Sequence, residues 1–485
     1  MNYHSTRDTS LRRTASQAIL QGISEEGGLF VPQEIPRVDL ASLQGLDYCA
    51  LAAKLLGLYL TDYSEEFLLR AARQAYGPQR FEGAAAKTVK LEPGLYSLEL
   101  WHGPTSAFKD YALQLMPLLL VEAKRINRDN SKTAILVATS GDTGKAALEG
   151  YKDLPGIEIA VFYPAHGTSE TQRLQMATQE GENVHVFAVE GNFDDAQTGV
   201  KRVFTDAAFA AECAAQGKHL TSANSINWGR LAPQIVYYFA SYLELVRQGE
   251  LQLGDALDFC VPTGNFGDIL AGYYARRMGL PVRRLLCASN KNNVLTDFGA
   301  SGVYDADRPF YKTASPSMDI LVSSNLERLL YHESGDADLI AQLMDALAEN
   351  KKYQVPRSLG QRIAESFAFG CTGEERCFAE IAATWEKDHY LADPHTAVAL
   401  SVARAEADGK TPCVVLSTAN PYKFSGAVLG ALGGRAQQDD FADLAALEQL
   451  TGTVAPAPLR ALREKPVRFE ATIRPEGIPA AARAL

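Results

Sequence analysis

The sequence predicts an α/β protein of mainly parallel, doubly wound sheets with helices on both faces, preceded by a small α-rich N-terminal domain. Two observations predict it. From Thr133 onward, short apolar segments alternate with helix-length stretches: Thr133–Thr139, Ile157–Tyr163, Val184–Val189, Leu220–Ala223, Leu257–Val261, Leu285–Ser289 and Val414–Thr418. Near-continuous apolar strands separated in this way indicate parallel sheet covered on both faces. Upstream, the first ninety or so residues carry helical patterns around glycine punctuation. These are a helix near Thr14–Gly22, a turn at Glu26-Gly27-Gly28, and helices over Ala41–Tyr59 and Ser64–Ala75.

A chain of 485 residues, 46% hydrophobic and 22% charged, is too long for one small core and ordinary for a globular protein, so two or three packed domains are expected. The expected divisions are residues 1–90 for the leading domain, 91–434 for an α/β region of two subdomains, and 435–485 for a C-terminal extension. Within the α/β region, Asn325 to Lys387 reads as a charged helical insertion without strand signals. After Gly434, an acidic helix over Asp439–Leu450 gives way to a Pro/Ala-rich tail, expected to be poorly ordered or to wrap the body.

A net charge of −11 and a pI near 5.4 argue against nucleic acid as the main partner, because such binding rests on a basic surface that neutralises phosphates. One small anion in a local basic pocket remains compatible. The seven cysteines are scattered, odd in number and without a C-x-x-C pair, which reads as reduced thiols in a cytoplasmic protein. No apolar run follows the basic N-terminus, and no window has the roughly 18 apolar residues of a membrane span, so no membrane association is expected.

In open α/β sheets, ligands sit beyond the carboxyl ends of the strands, so the loops after strands carry the chemistry. The segment Trp101-His102-Gly103-Pro104-Thr105-Ser106-Ala107-Phe108-Lys109-Asp110 places one lysine between a turn and an apolar helix expected from Tyr111 to Ala123. An amine held among aromatic and aliphatic groups has a depressed pKa and condenses with aldehydes. Taken alone, a lysine at a helix start is more often a solvated surface residue.

A second loop, Thr263-Gly264-Asn265-Phe266-Gly267-Asp268, follows the Leu257–Val261 strand and precedes a helix expected over Ile269–Met278. Its two glycines let backbone N–H groups turn inward, and the helix N-terminus adds a positive end, so it suits a phosphate; a plain tight turn looks similar. A third, Thr139-Ser140-Gly141-Asp142-Thr143-Gly144-Lys145, offers hydroxyls for oxygens or for an ordinary helix cap. It is not an NTPase phosphate loop, since Gly141 and Gly144 are only three apart and Ala146 follows Lys145.

Next, Asn224-Ser225-Ile226-Asn227-Trp228-Gly229-Arg230 lies before a helix expected over Leu231–Leu243, and Asn224, Ser225 and Arg230 together suit a dianion, although taken alone the segment reads more readily as a capped helix with a surface arginine. Lastly, Ser417-Thr418-Ala419-Asn420-Pro421 ends the final strand with a hydroxyl pair. A hydroxyl leaves a bound pyridine nitrogen largely unprotonated, which limits the charge a ring can absorb. A strand simply turning at proline is the plainer reading.

In their order along the chain, HGPTSAFKD, ATSGDTGKAA, NSINWGR, VPTGNFGD and STANPYKF resemble the consecutive signatures of threonine synthase, in the branch with a distinct N-terminal domain. The opening YHSTR and GGLFVP resemble that domain's start, and the resemblance runs from about residue 3 to about 430. It implies a fold-type II pyridoxal 5′-phosphate (PLP) enzyme that converts O-phospho-L-homoserine and water into L-threonine and phosphate. It further implies that Lys109 holds the cofactor as a Schiff base and that Gly264, Asn265, Phe266, Gly267 and Asp268 surround its phosphate. By the same resemblance, Thr418 faces the pyridine nitrogen, and Asp142, often asparagine in relatives, lies near the ring hydroxyl. Ser140, Thr143, Asn224, Ser225 and Arg230 are then the substrate-phosphate set, and the protein is expected as a monomer or homodimer.

Two other enzymes share much of this pattern, a PLP-dependent phospho-lyase that stops at the keto acid and a hydroxyamino-acid dehydratase. The dehydratase does not need the Asn224/Ser225/Arg230 set, whereas the phospho-lyase does. A catalytically silent homologue is expected to have lost the lysine or the glycine loop, and both are intact.

Overall fold

The computed structural model describes residues 1–81, 83, 85–166, 168–191, 193–437 and 439–485. Two largely parallel sheets organise it. The larger runs in the order Phe367–Cys371, Val282–Ser289, Leu257–Pro262, Cys413–Ser417, Leu95–Glu99, Lys87–Glu92, with only the last strand antiparallel to its neighbour. The smaller runs Thr472–Ile473, Val184–Val189, Ile157–Pro164, Lys132–Ala138, Lys218–Thr221, all parallel. Every residue of Leu257–Pro262, and all but Lys132 of Lys132–Ala138, is buried, as helices on both faces require.

The hairpin Lys87–Glu92 and Leu95–Glu99 was not expected from periodicity, although its Pro93-Gly94 turn, with Gly94 at φ 80°, is a recognisable punctuation. The expectation of a strand-free segment from Asn325 to Lys387 is wrong. Lys352–Gln354 pairs with Val303–Asp305, and Phe367–Cys371 forms the edge of the larger sheet. In Phe367–Cys371 only Phe367 is fully buried, so no apolar alternation marks it; pairing with Leu285 to Ser289, some eighty residues earlier, makes it a strand.

Two expected helices are each divided by proline. The run from Tyr111 becomes Lys109–Leu113 and Met116–Asn127, the second with Pro117 in its first turn. Likewise Trp228–Leu231 and Ile235–Arg247 flank Pro233. Proline has no N–H to donate and crowds the preceding turn, so each chain restarts there.

Near the N-terminus, Tyr3–Ser5 and Phe30–Pro32 form a small antiparallel pair, and Thr14 and Gln17 build a capping box on Ala15–Gln21. The expected helix over Ala41–Tyr59 starts only at Tyr48, where the Asp47 side chain caps the N–H of Ala50. These elements share one continuous core with the larger body: the Tyr59 ring meets Trp228 edge-on at 5.4 Å. The tail wraps the smaller sheet, adding Thr472–Ile473 beside Val184–Val189 and burying Ile478 in the helix that follows. Among the described residues, no helix is long and apolar enough to cross a membrane.

Candidate active site

The carboxyl ends of four strands converge on one cleft. Three of them deliver Trp101 to Lys109 after Leu95–Glu99, Thr263 to Asp268 after Leu257–Pro262, and Thr418 after Cys413–Ser417, while the loop after Lys132–Ala138 brings Asp142 beside Lys109 without lining the cleft. The cleft is lined by Lys109, Ser225, Arg230, Gly264, Asn265, Phe266, Gly267, Asp268 and Thr418, together with Phe108, Gln234, Ser317, Met318 and His395.

The lysine-bearing turn is fixed from both sides. Thr105 donates to Asp110 through its N–H and its hydroxyl, both at 2.8 Å, and Ser106 sits in the left-handed region at φ 58°. A β-bridge joins Ala107 to Ala419, and Phe108 N–H donates to the Thr418 carbonyl at 2.8 Å. Lys109 and Thr418 are thereby held in one backbone frame.

Lys109 is 8% exposed, with Nζ 3.7 Å from Asp142 Oδ2, 3.4 Å from Ser317 Oγ and 4.8 Å from the Phe108 ring centre. Burial pushes its pKa down to about 8; Asp142 opposes this, while Arg230 and Lys423 add to it. The solvated reading of this lysine therefore fails.

Asp142 opens the helix Asp142–Tyr151 and is buried. Its Oδ1 receives Lys423 Nζ at 2.7 Å and Gln172 Nε2 at 3.1 Å. Burial alone favours the neutral acid, but Lys423 and Lys109 outweigh it and hold the carboxyl well below the usual carboxylate range.

In the glycine loop, Phe266 adopts φ 66° at the head of the helix Gly267–Met278 and supplies no side-chain cap. The Gly267 N–H donates to Asn265 Oδ1 at 3.3 Å, and the N–H groups after it are left for a ligand. The loop is braced by Ser323 Oγ donating to the Gly264 carbonyl at 2.7 Å and Asn325 N–H donating to the Asn265 carbonyl at 3.1 Å. Asp268 Oδ1 accepts from the hydroxyls of Tyr237 and Tyr238, while Oδ2 is buried without a partner among the described residues. Burial raises its pKa to about 6.

Ser225 Oγ accepts from Asn265 Nδ2 at 2.8 Å and Asn325 Nδ2 at 3.0 Å, so its own O–H remains to donate. Arg230 is buried, donates to the Ala223 carbonyl and reaches Thr143 Oγ1 at 3.4 Å. No carboxylate pairs with it among the described residues, and burial brings its pKa down to about 10. A buried guanidinium without a counter-ion suits an incoming anion. Ser140, Asp142, Thr143 and Asn224 do not line the cleft; Asp142 touches it through Lys109, and Thr143 through Arg230.

Three polar cleft residues and one beside the cleft escaped the sequence reading. Ser317 sits in the Pro316–Met318 turn, Gln234 lies between the two proline-divided helices, and Lys423 stands just past the cleft wall. His395 binds Asp393 through Nδ1 at 2.6 Å and accepts the Ser317 N–H at Nε2, at 3.1 Å. The only sequence signal was Asp393-Pro394 opening the helix Pro394–Glu406, a cap pattern that explains Asp393 but not the direction of His395.

Three family models match consecutive stretches: "Threonine synthase N terminus" at residues 2–76, "Pyridoxal-phosphate dependent enzyme" at 74–358, and "Threonine synthase, C-terminal" at 396–472. Threonine synthase of Pseudomonas aeruginosa is 39% identical over 444 residues, which covers 90% of this chain and 91% of that protein. The chain belongs to the threonine synthase family. The crystal structure of PLP-bound threonine synthase from Brucella melitensis superposes with a TM-score of 0.89 at 36% identity, covering 100% of this chain and 99% of that one. Threonine synthase-like 1 of Homo sapiens is 40% identical over 431 residues, although the chain spans only 58% of that protein's length. The fold is thus that of a fold-type II PLP enzyme, and the helix N-terminus, buried amine and hydroxyl-bearing strand end match the phosphate, aldehyde and ring of such a cofactor.

Proposed function

We propose that the protein is a threonine synthase, converting O-phospho-L-homoserine and water into L-threonine and phosphate with pyridoxal 5′-phosphate on Lys109. The observation that carries this reading is a buried amine with a pKa near 8 sharing one cleft with a buried guanidinium that has no carboxylate partner. The amine serves cofactor and proton chemistry, and the guanidinium serves a phosphorylated substrate.

When bound, the cofactor supplies a conjugated electron sink for negative charge at the substrate α-carbon. Gly264, Asn265, Phe266, Gly267 and Asp268 would hold its phosphate, Thr418 would face its ring nitrogen, and Asp142 its ring hydroxyl. Arg230, Ser225 and Thr143 would bind the substrate phosphate; Ser140 and Asn224 join that set on family resemblance.

Lys109, free once the substrate amine is in place, would remove the α-proton and then a β-proton; one proton is returned to the γ-carbon and one to the α-carbon, and the proton lost by the added water leaves with the phosphate. A pKa near 8 keeps both of its protonation states accessible around neutral pH. Arg230 and Ser225 donate to the leaving phosphate as its charge grows, which lowers the barrier to breaking the γ-carbon–oxygen bond. Phe108, Phe266 and Met318 give the cleft apolar walls, which limit bulk water around the reacting atoms.

Incubation with O-phospho-L-homoserine, with free phosphate and threonine assayed together, tests the reading. Equal yields support it. Phosphate with a keto acid moves the protein to the phospho-lyase reading, and no phosphate release rejects a phosphorylated substrate.

A further inference from the structure

The Lys423 side chain is wholly buried, yet it carries an amine. Its Nζ lies 2.7 Å from Asp142 Oδ1 and donates to the Thr105 carbonyl at 3.0 Å. Both contacts border Lys109. Asp142 turns its other oxygen towards Lys109 Nζ at 3.7 Å, and Thr105 is bound to Asp110, the residue after Lys109. One carboxylate therefore stands between two amines, only one of which opens onto the cleft.

A buried carboxylate beside a reactive amine has two ways to lower its energy. It takes a proton, or it pairs with a fixed cation. With Lys423 in place the second is available without Lys109, so Asp142 stays charged whether Lys109 is protonated, neutral or covalently engaged.

We infer that Lys423 is a positioning residue that keeps Asp142 a carboxylate aimed at Lys109, so that the pair presents the cofactor-bearing nitrogen with a charge-balanced neighbour. The inference rests on Lys109 being the cofactor lysine. The other charges acting on Lys109 are Arg230 and Asp268, Asp110 and Glu149 lie near Lys423 and its partners, and none of these is changed in the test.

The test follows the visible absorption of the cofactor-loaded protein across pH, since that band reports protonation at the Lys109 nitrogen. Asp142→Asn leaves Lys423 uncompensated and is expected to lower the midpoint by about one pH unit, while Lys423→Met leaves Asp142 uncompensated and is expected to raise it by about one unit. The double variant restores the balance and is expected within a few tenths of the parent, and Lys423→Arg, which keeps the charge, is expected close to the parent.

If the double variant keeps the midpoint of Asp142→Asn, Lys423 only braces the Thr105 turn and the inference is overturned. That comparison decides the matter even where Lys423→Met alone does not fold. A visible band that persists in Lys109→Ala overturns the assignment of the lysine, an outcome distinct from an unmoved midpoint.

Discussion

The guanidinium of Arg328 donates to the carbonyl of Phe30 at 3.0 Å, joining the N-terminal strand pair to the wall of the cleft. The same group donates to the carbonyls of Ser225 at 3.4 Å and Ile226 at 2.6 Å, and to the Asn325 side chain. Asn325 in turn supports Ser225 Oγ and the Asn265 carbonyl. Arg328 is fully buried and has no carboxylate within ion-pair distance among the described residues; burial brings its pKa down to about 10. The leading domain is thus part of the scaffold that aims Ser225.

Arg328→Met removes the donors from several buried acceptors at once. Each orphaned acceptor costs about 1–3 kcal/mol, so an overall loss of about 3 kcal/mol or more is expected in urea unfolding. The folded fraction should also show a raised KM for O-phospho-L-homoserine, because Ser225 and Ile226 lose their shared anchor. A loss under about 1 kcal/mol would show that other contacts carry the junction.

The pKa of Lys109 makes cofactor loading depend on pH. Only the neutral amine attacks an aldehyde, and burial shifts the equilibrium towards that form. The rate of loading into cofactor-free protein should rise as pH increases through about 8 and then level off, rather than climbing towards the ordinary lysine value near 10.5. Stopped-flow absorption checks this; a rate still rising tenfold per unit above pH 9 would mean that Lys109 is not desolvated.

Two glycines in the phosphate loop are unequal. A Cβ on Gly264 would meet the Ser317 carbonyl at 2.7 Å and the Met318 backbone at 3.4 Å, whereas the nearest atoms to one on Gly267 are side-chain atoms of Asn265, Asn325 and Ser225, all at 3.4 Å. Gly264→Ala should therefore displace the Ser317 turn and weaken PLP binding at least about tenfold, with Gly267→Ala within about threefold of the parent. Fluorescence titration of the two variants checks the order.

Much of this site was legible because its parts lie in loops directly after buried strands. Leu257–Pro262 announces Gly264, and Cys413–Ser417 announces Thr418, by apolar runs that end abruptly. Lys423 and Arg328 were not, since a charge buried by tertiary contact has the same local sequence as a solvated one. Phe367–Cys371 was missed for a related reason: its partner strand lies far away in the chain. Local pattern thus located the first contacts to a ligand, whereas the residues that orient them depend on long-range packing.

Arg230 offers the sharpest separation of substrate binding from cofactor binding. Its guanidinium faces Thr143 and the cleft, whereas the cofactor loop rests on Asn265, Phe266 and Gly267 at the head of a different helix. Arg230→Ala removes a buried charge that has no carboxylate partner among the described residues, so folding is expected to suffer less than from breaking a buried ion pair. The phosphate of the substrate loses its charge-assisted donor, and a rise in KM of about tenfold to a hundredfold is expected. PLP affinity should stay within about threefold of the parent. If cofactor affinity falls with KM, Arg230 supports the whole cleft; if neither moves, it is not a substrate residue.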